Sequence, residues 1–196
     1  MRGSGSTPVN ELCFTNCVAR PRTITDERLL NALGAVITTR GPGFTVADVA
    51  AEAGVSVGTV SQRFGSKHGL LVALSRAAVG QVRDRVRSAG NALEAILGVF
   101  GALDDASTAA NNLGQLAIDL ADPELRELHG EFFAAFEAEL APLARAVPGA
   151  PPHAARILVS LANGAAIAWS VRPTGSLLDR LTEDITAVLK GWQSNG

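Results

Sequence analysis

A chain of 196 residues with 47% hydrophobic and 18% charged side chains has enough apolar material to pack one domain or two small ones. That excludes a disordered tail and a cysteine-stapled mini-scaffold, and aromatics at 5% with no Tyr favour helices over a sandwich or barrel. The net charge of −2 conceals a split: residues 1–90 hold 11 Lys and Arg against 6 Asp and Glu, while residues 91–196 hold 6 against 13. A basic half joined to an acidic half suggests a nucleic-acid-binding head on a different kind of body.

Residues 1–21 read as a flexible arm rich in Gly, Ser, Pro and Asn, with no apolar run of signal-peptide length, and Met1 to Ser6 look like a leader rather than a folded element. Cys13 and Cys17 stand in a C-x3-C spacing there. With no further Cys and no nearby His to complete a tetrahedral site, they are expected to be exposed reduced thiols, the alternative being a redox switch. Thr25 is placed to cap a first helix whose Leu29, Leu30, Leu33, Val36 and Ile37 recur at helical spacing up to Gly41-Pro42-Gly43. Two short helices are predicted at 45–53 and 56–64, separated by Gly54-Val55, and a longer one from the Ser66 cap to about 88. Further helices are predicted at 92–103, 107–120, 123–147, 153–171 and 176–192, with Asp122-Pro123-Glu124 as a start signal and Pro/Gly breaks at 148–152 and 172–175. No segment alternates with period two. The expectation is an all-α fold of about nine helices, in which an arm (1–21) leads to a three-helix head (22–68) and then a helical body (69–196). The longest uncharged stretch, 157–171, is short for a bilayer and reads as a buried helix, so a soluble, cytoplasmic protein without a membrane partner is expected.

Residues 44–64 have helix-turn-helix spacing. Val46, Val49 and Ala50 give the first helix an apolar face, Gly54 sits where a sharp turn needs positive φ, and Val55 plugs the core. Ser56 can cap the second helix, whose Val60 and Phe64 point inward at i,i+4. Gly58, Thr59 and Gln62 remain outward, with Val57, Ser61 and Arg63 at the margins. Such a face fits a major groove: Gln62 can pair with a base edge, and Thr59 or Val57 can touch a thymine methyl or a phosphate. An ordinary helical corner with a solvated face is the alternative.

The same stretch resembles the TetR (tetracycline-repressor-like) family of bacterial transcription regulators at Phe44, Thr45, Val49, Ala50, Ala53, Gly54, Val55, Ser56, Gly58, Thr59, Val60, Phe64, Lys67 and Leu70. The likeness covers roughly residues 22–75; beyond them it is one of architecture alone. It implies that Thr45, Ser56, Thr59 and Lys67 contact DNA phosphates, with Thr45 and Ser56 doing so at helix N-termini. Two positions depart from the family pattern. Ser61 stands where a Tyr is usual, and Arg63 replaces a His or Tyr, adding a charge that can reach a guanine or a phosphate. Arg20 and Arg22 either serve as an arm near the minor groove or form a solvated basic tail. The resemblance further implies a repressor that binds a palindromic double-stranded operator and is released by a small effector.

In the acidic half, 153–171 and 176–192 carry more apolar surface than one body needs, which suggests a four-helix interface with a second copy and hence a homodimer through the last two helices. Phe100, Leu103, Leu116, Leu120, His129, Phe133 and Asn163 are the candidates for lining an effector cavity, with simple core filling as the alternative for any one of them. Few charges fall on those faces, which favours a neutral or apolar effector. No cofactor or metal is expected, because His68, His129 and His153 lie in different segments. Nor is an enzyme: adjacent Asp104 and Asp105 diverge by about 100° on a helix and cannot face one another as an acid/base pair. The rival to a DNA reader is a helical adaptor that uses the same fold to bind a protein.

Overall fold

The computed structural model describes residues 24–194. Among these residues there are nine α-helices, two short 3-10 turns and no strand. The head comprises α1 (Asp26–Arg40), α2 (Val46–Ala53) and α3 (Val57–Phe64), followed by α4 (Lys67–Arg87). The body adds α5 (Ala92–Phe100), α6 (Ala109–Ala121), α7 (Pro123–Arg145), α8 (Ala154–Val171) and α9 (Leu177–Ser194).

Most helix starts are fixed by a side-chain cap. The Thr25, Ser56, Ser66 and Asn91 side chains each accept a hydrogen bond from the backbone N–H three residues on, satisfying donors that the first turn leaves open. Asp122 caps α7 by accepting from both Glu124 and Leu125 N–H at 3.0 Å. The Leu125 bond, with His68 beside it, holds the Asp122 carboxyl below its ordinary range. Two predicted bounds differ from the structure. The helix expected over 92–103 tightens into a 3-10 turn at Gly101–Leu103. The one expected from 107 begins at Ala109, because Asp105 draws Ser107 N–H and Oγ–H onto its own carboxylate in a local turn. Asp104 instead reaches across to the start of α9, accepting from Leu177 N–H at 2.6 Å and Ser176 Oγ–H at 2.8 Å. The adjacent acids thus organise two different helix starts.

Two apolar cores result. The head core gathers Leu29, Leu33, Phe44, Val49 and Val60, and the body core gathers Ile96, Phe136, Leu140, Leu158, Trp169 and Leu181. Two long helices belong to both. The first turns of α4 give Leu70, Leu71 and Val72 to the head, and its later turns give Val79, Val82 and Val86 to the body. Likewise α7 gives Leu125 and Leu128 to the head core and Phe136, Leu140 and Ala144 to the body core. The two helices run side by side in the same direction, as their cross-links show: His68 to Asp122, Arg76 to Glu124 and Arg87 to Glu139. By length and composition α8 alone among the described residues is apolar enough to cross a membrane. It is the central helix of the body, with Leu158, Val159, Ala162 and Trp169 buried in its core.

Candidate nucleic-acid interface and ligand cavity

The turn between α2 and α3 follows from Gly54, which sits at φ 70° and ψ 38° and lets Val55 N–H reach back to Ala50 O at 2.9 Å. Fully buried Val60 then pins α3 to the head. The opposite face is open: Val57 is 47% exposed, and Gly58, Gln62 and Arg63 are also exposed, while Thr59 and Ser61 are half-buried. A Cβ on Gly58 would meet only Ser56 Oγ, at 3.6 Å, so nothing within the head requires a glycine there. Its effect is to leave bare backbone on the exposed face.

Several of the residues expected to touch DNA have partners within the head. Thr45 N–H and Oγ–H both donate to Asp48 Oδ2 at 2.8 Å, and Thr45 Oγ1 accepts from Asp48 N–H. The Thr45 backbone bond is the main reason the Asp48 carboxyl lies below its ordinary range. The N-terminus of α2 therefore already carries an anion. At α3 the first turn holds no acid, and Ser56 Oγ accepts from Thr59 N–H at 3.1 Å while lying 2.9 Å from Thr59 Oγ1. Arg63 folds back onto α1, donating to Asp26 Oδ1 at 2.8 Å. Lys67 Nζ donates to Pro42 O and Phe44 O and lies 4.1 Å from the Phe44 ring centroid. One of its three hydrogens is left over from the two carbonyls. Arg20, Arg22, Cys13 and Cys17 lie outside the described residues.

A cavity of about 390 Å³ opens where the body meets the head. Its wall runs from Ile37 of α1 and Leu71 of α4 to Ala166 and Ile167 of α8. Phe100, Leu103, Leu116, His129, Phe133 and Asn163 are brought together on that wall. Leu120 is not: it is 43% exposed and faces away. The inward stripe of α6 runs through Asn112, Leu113, Gln115, Leu116 and Asp119, which rotates Leu120 outward. At the end of the stripe Asp119 has taken the inward position that an apolar-inside reading gives to Leu120.

Gln115 and Asp119 are 5% and 8% exposed. Gln115 Nε2 donates to Asp119 Oδ1 at 2.7 Å, and Gln115 Oε1 has no partner. Burial raises the Asp119 carboxyl above its ordinary range, opposed by the Gln115 hydrogen bond and by nearby His129. The sequence reading missed Asp119. Its signal was the i,i+4 spacing from Gln115, which puts both on one helical face with Asn112. Among the described residues no group of His, Cys, Asp and Glu is arranged to hold a metal.

The body also leaves apolar side chains outside its core. Ile167 and Val171 on α8 are 46% and 66% exposed, and Val188, Leu189 and Trp192 of α9 are only partly covered.

These features define a helix-turn-helix protein with a ligand-sized cavity behind its reading head. Residues 29–74 match the family model of the bacterial regulatory proteins of the tetR family. A transcriptional regulator from Rhodococcus sp. Rha1 shares the fold at TM-score 0.64 and 24% identity, over 86% of this chain and 97% of that one. A TetR transcriptional regulator from Streptomyces coelicolor does so at TM-score 0.63 and 19% identity, over 86% and 98%. No curated protein matches the chain significantly. The head matches the tetR-family model, and the chain as a whole shares its fold with these transcriptional regulators.

Proposed function

We propose that the protein is a cytoplasmic homodimeric repressor that binds a two-fold operator and leaves it when a small ligand fills the cavity. The observation that carries this reading is the position of the cavity, whose wall includes Ile37 and Leu71 of the head core and Phe133 and Asn163 of the body. A ligand there touches α4, the helix that joins the two units, and so acts on the angle at which α3 is presented.

On the DNA side, α3 enters the major groove. Gln62 reads a base edge, Val57 meets a thymine methyl, and bare Gly58 allows close approach. Ser56, Thr59 and Ser61 meet phosphates, as do Thr45 and the remaining hydrogen of Lys67. Arg63 is placed to help only if it leaves Asp26, and Arg22 only from the arm. Dimerisation through α8 and α9 buries Ile167 and Val171 and sets two reading helices on half-sites about 34–36 Å apart or further. Linkage requires operator and ligand to weaken each other equally, typically by about 1–3 kcal/mol.

The test is fluorescence anisotropy of the purified protein on DNA from its own upstream intergenic region, between about 50 and 200 mM salt. Selective binding that weakens steeply with salt is expected. Binding with no preference over scrambled DNA, from an intact dimer, overturns the operator reading and leaves the adaptor.

A further inference from the structure

Three polar side chains on the cavity wall have a hydrogen-bond donor engaged inside the protein. Gln115 Nε2 donates to Asp119 Oδ1, and Asn163 Nδ2 donates to Val159 O at 2.8 Å. His129 Nδ1 lies 3.2 Å from Leu125 O. A carbonyl only accepts, so Nδ1 carries a hydrogen there. At Gln115 and Asp119 the wall therefore offers a guest acceptors, a carboxylate and, in Gln115 Oε1, a buried oxygen with no partner, while Ser75, Gln81, Arg85 and Asn112 bring donors to the same wall. An unsatisfied buried acceptor and a desolvated carboxylate both cost stability until a donor arrives.

We infer that the cavity takes an amphipathic amine, whose protonated nitrogen donates to Asp119 and Gln115 Oε1 and whose apolar tail lies among Phe100, Leu116 and Phe133. The inference rests on the cavity being the effector site and names the chemistry of that effector. An ammonium brings several donors and the charge that a buried carboxylate lacks. A carboxylate ligand would place like charges together, and an alcohol has one donor for two acceptors. Arg85, the one Lys or Arg on the wall, does not neutralise Asp119. Asp122, three residues after Asp119, pairs with His68 at the start of α4, and Arg85 stands about 25 Å of helix rise further along.

The inference is tested by calorimetric titration of the full-length protein with three probes that share a tail: n-decylammonium, decanoate and decanol, each below its aggregation concentration. Decylammonium is expected to bind at least about tenfold more tightly than either of the others. Asp119→Asn, nearly isosteric, should bring decylammonium and decanol within about threefold of each other. Gln115→Met should narrow the same gap from the second acceptor, and serves if Asp119→Asn does not fold. Leu116→Trp, which fills the cavity, should abolish binding of all three. Equal or tighter binding of decanoate or decanol overturns the inference, as does a preference unchanged in both polar variants. Binding of no probe overturns it too, since Gln115 Oε1 would then answer only to internal water. The titration contains no DNA, so a failure of operator binding shows separately, in the anisotropy experiment.

Discussion

Lys67 Nζ donates to Pro42 O at 2.6 Å and Phe44 O at 2.8 Å, so the cation that opens α4 is fastened to the segment that leads into α2. The residue that the family resemblance assigns to a phosphate is first of all a clamp within the head. Lys67→Met should lower stability by about 1–3 kcal/mol through loss of charge-assisted bonds, seen as a reduced denaturation midpoint. DNA affinity should fall alike on all sequences. A variant of unchanged stability would show that the carbonyl contacts contribute nothing.

Gln62 should behave differently. It is exposed on α3 and has no part in the head core, so Gln62→Ala should leave the melting curve alone. Its loss should cost about 1–3 kcal/mol on the operator and little on unrelated DNA, with the slope of log affinity on log salt unchanged. A parallel loss on both DNAs would make Gln62 a backbone contact.

The exposed apolar residues of α8 give a prediction about assembly. Ile167→Glu combined with Val171→Glu places two charges on a face that the monomer leaves open, at 46% and 66% exposure. Light scattering should show a monomer whose far-ultraviolet dichroism is unchanged. A dimer that survives both charges would place the interface elsewhere, the exposed Ile118 and Leu120 of α6 being the next candidates.

Asp119 gives a pH dependence of definite sign. Its carboxyl is raised in the folded protein, so the folded state binds the proton more tightly than the unfolded chain. Stability therefore falls as pH rises from the unfolded value through the folded one. Asp119→Asn should be more stable than the parent at neutral pH, and the gain should vanish as the solution is acidified and the parent takes up its proton. The charged and titratable groups near it are His129 and Asp122, with His68 behind Asp122. Asp48 and Asp122 act in the opposite sense, because their lowered carboxyls contribute stability that is lost as pH falls through their folded values. Denaturation of parent and variant at several pH values separates the two effects. A constant difference across the range would mean that Asp119 does not change charge there.

The helices were legible in the sequence because local chemistry defines their ends. Thr25, Ser56, Ser66 and Asp122 announce the starts, and Gly41 and Gly54 announce stops that need positive φ. The exposed face of α3 could be read for the same reason, since helical period alone separates Val60 from Gln62. Less legible were contacts between segments distant in sequence. Arg63 looks free until α1 brings Asp26 beside it, 37 residues away. Lys67 looks free until the loop before α2 turns two carbonyls toward it. The inward placement of Asp119 was missed because hydropathy assigns an acidic residue to solvent, and a polar cavity wall breaks that rule.

The sharing of α4 and α7 between two cores bears on how the molecule comes apart. A fragment ending near residue 75 would keep Leu70, Leu71 and Val72 but lose Leu125 and Leu128, which close the same cluster from α7. The reading head is thus completed by residues translated some 50 positions after it, and should not gain full hydrogen-exchange protection until α7 has emerged and docked. Head and body should therefore unfold as one cooperative unit, their slowest-exchanging amides opening together rather than in two separate steps.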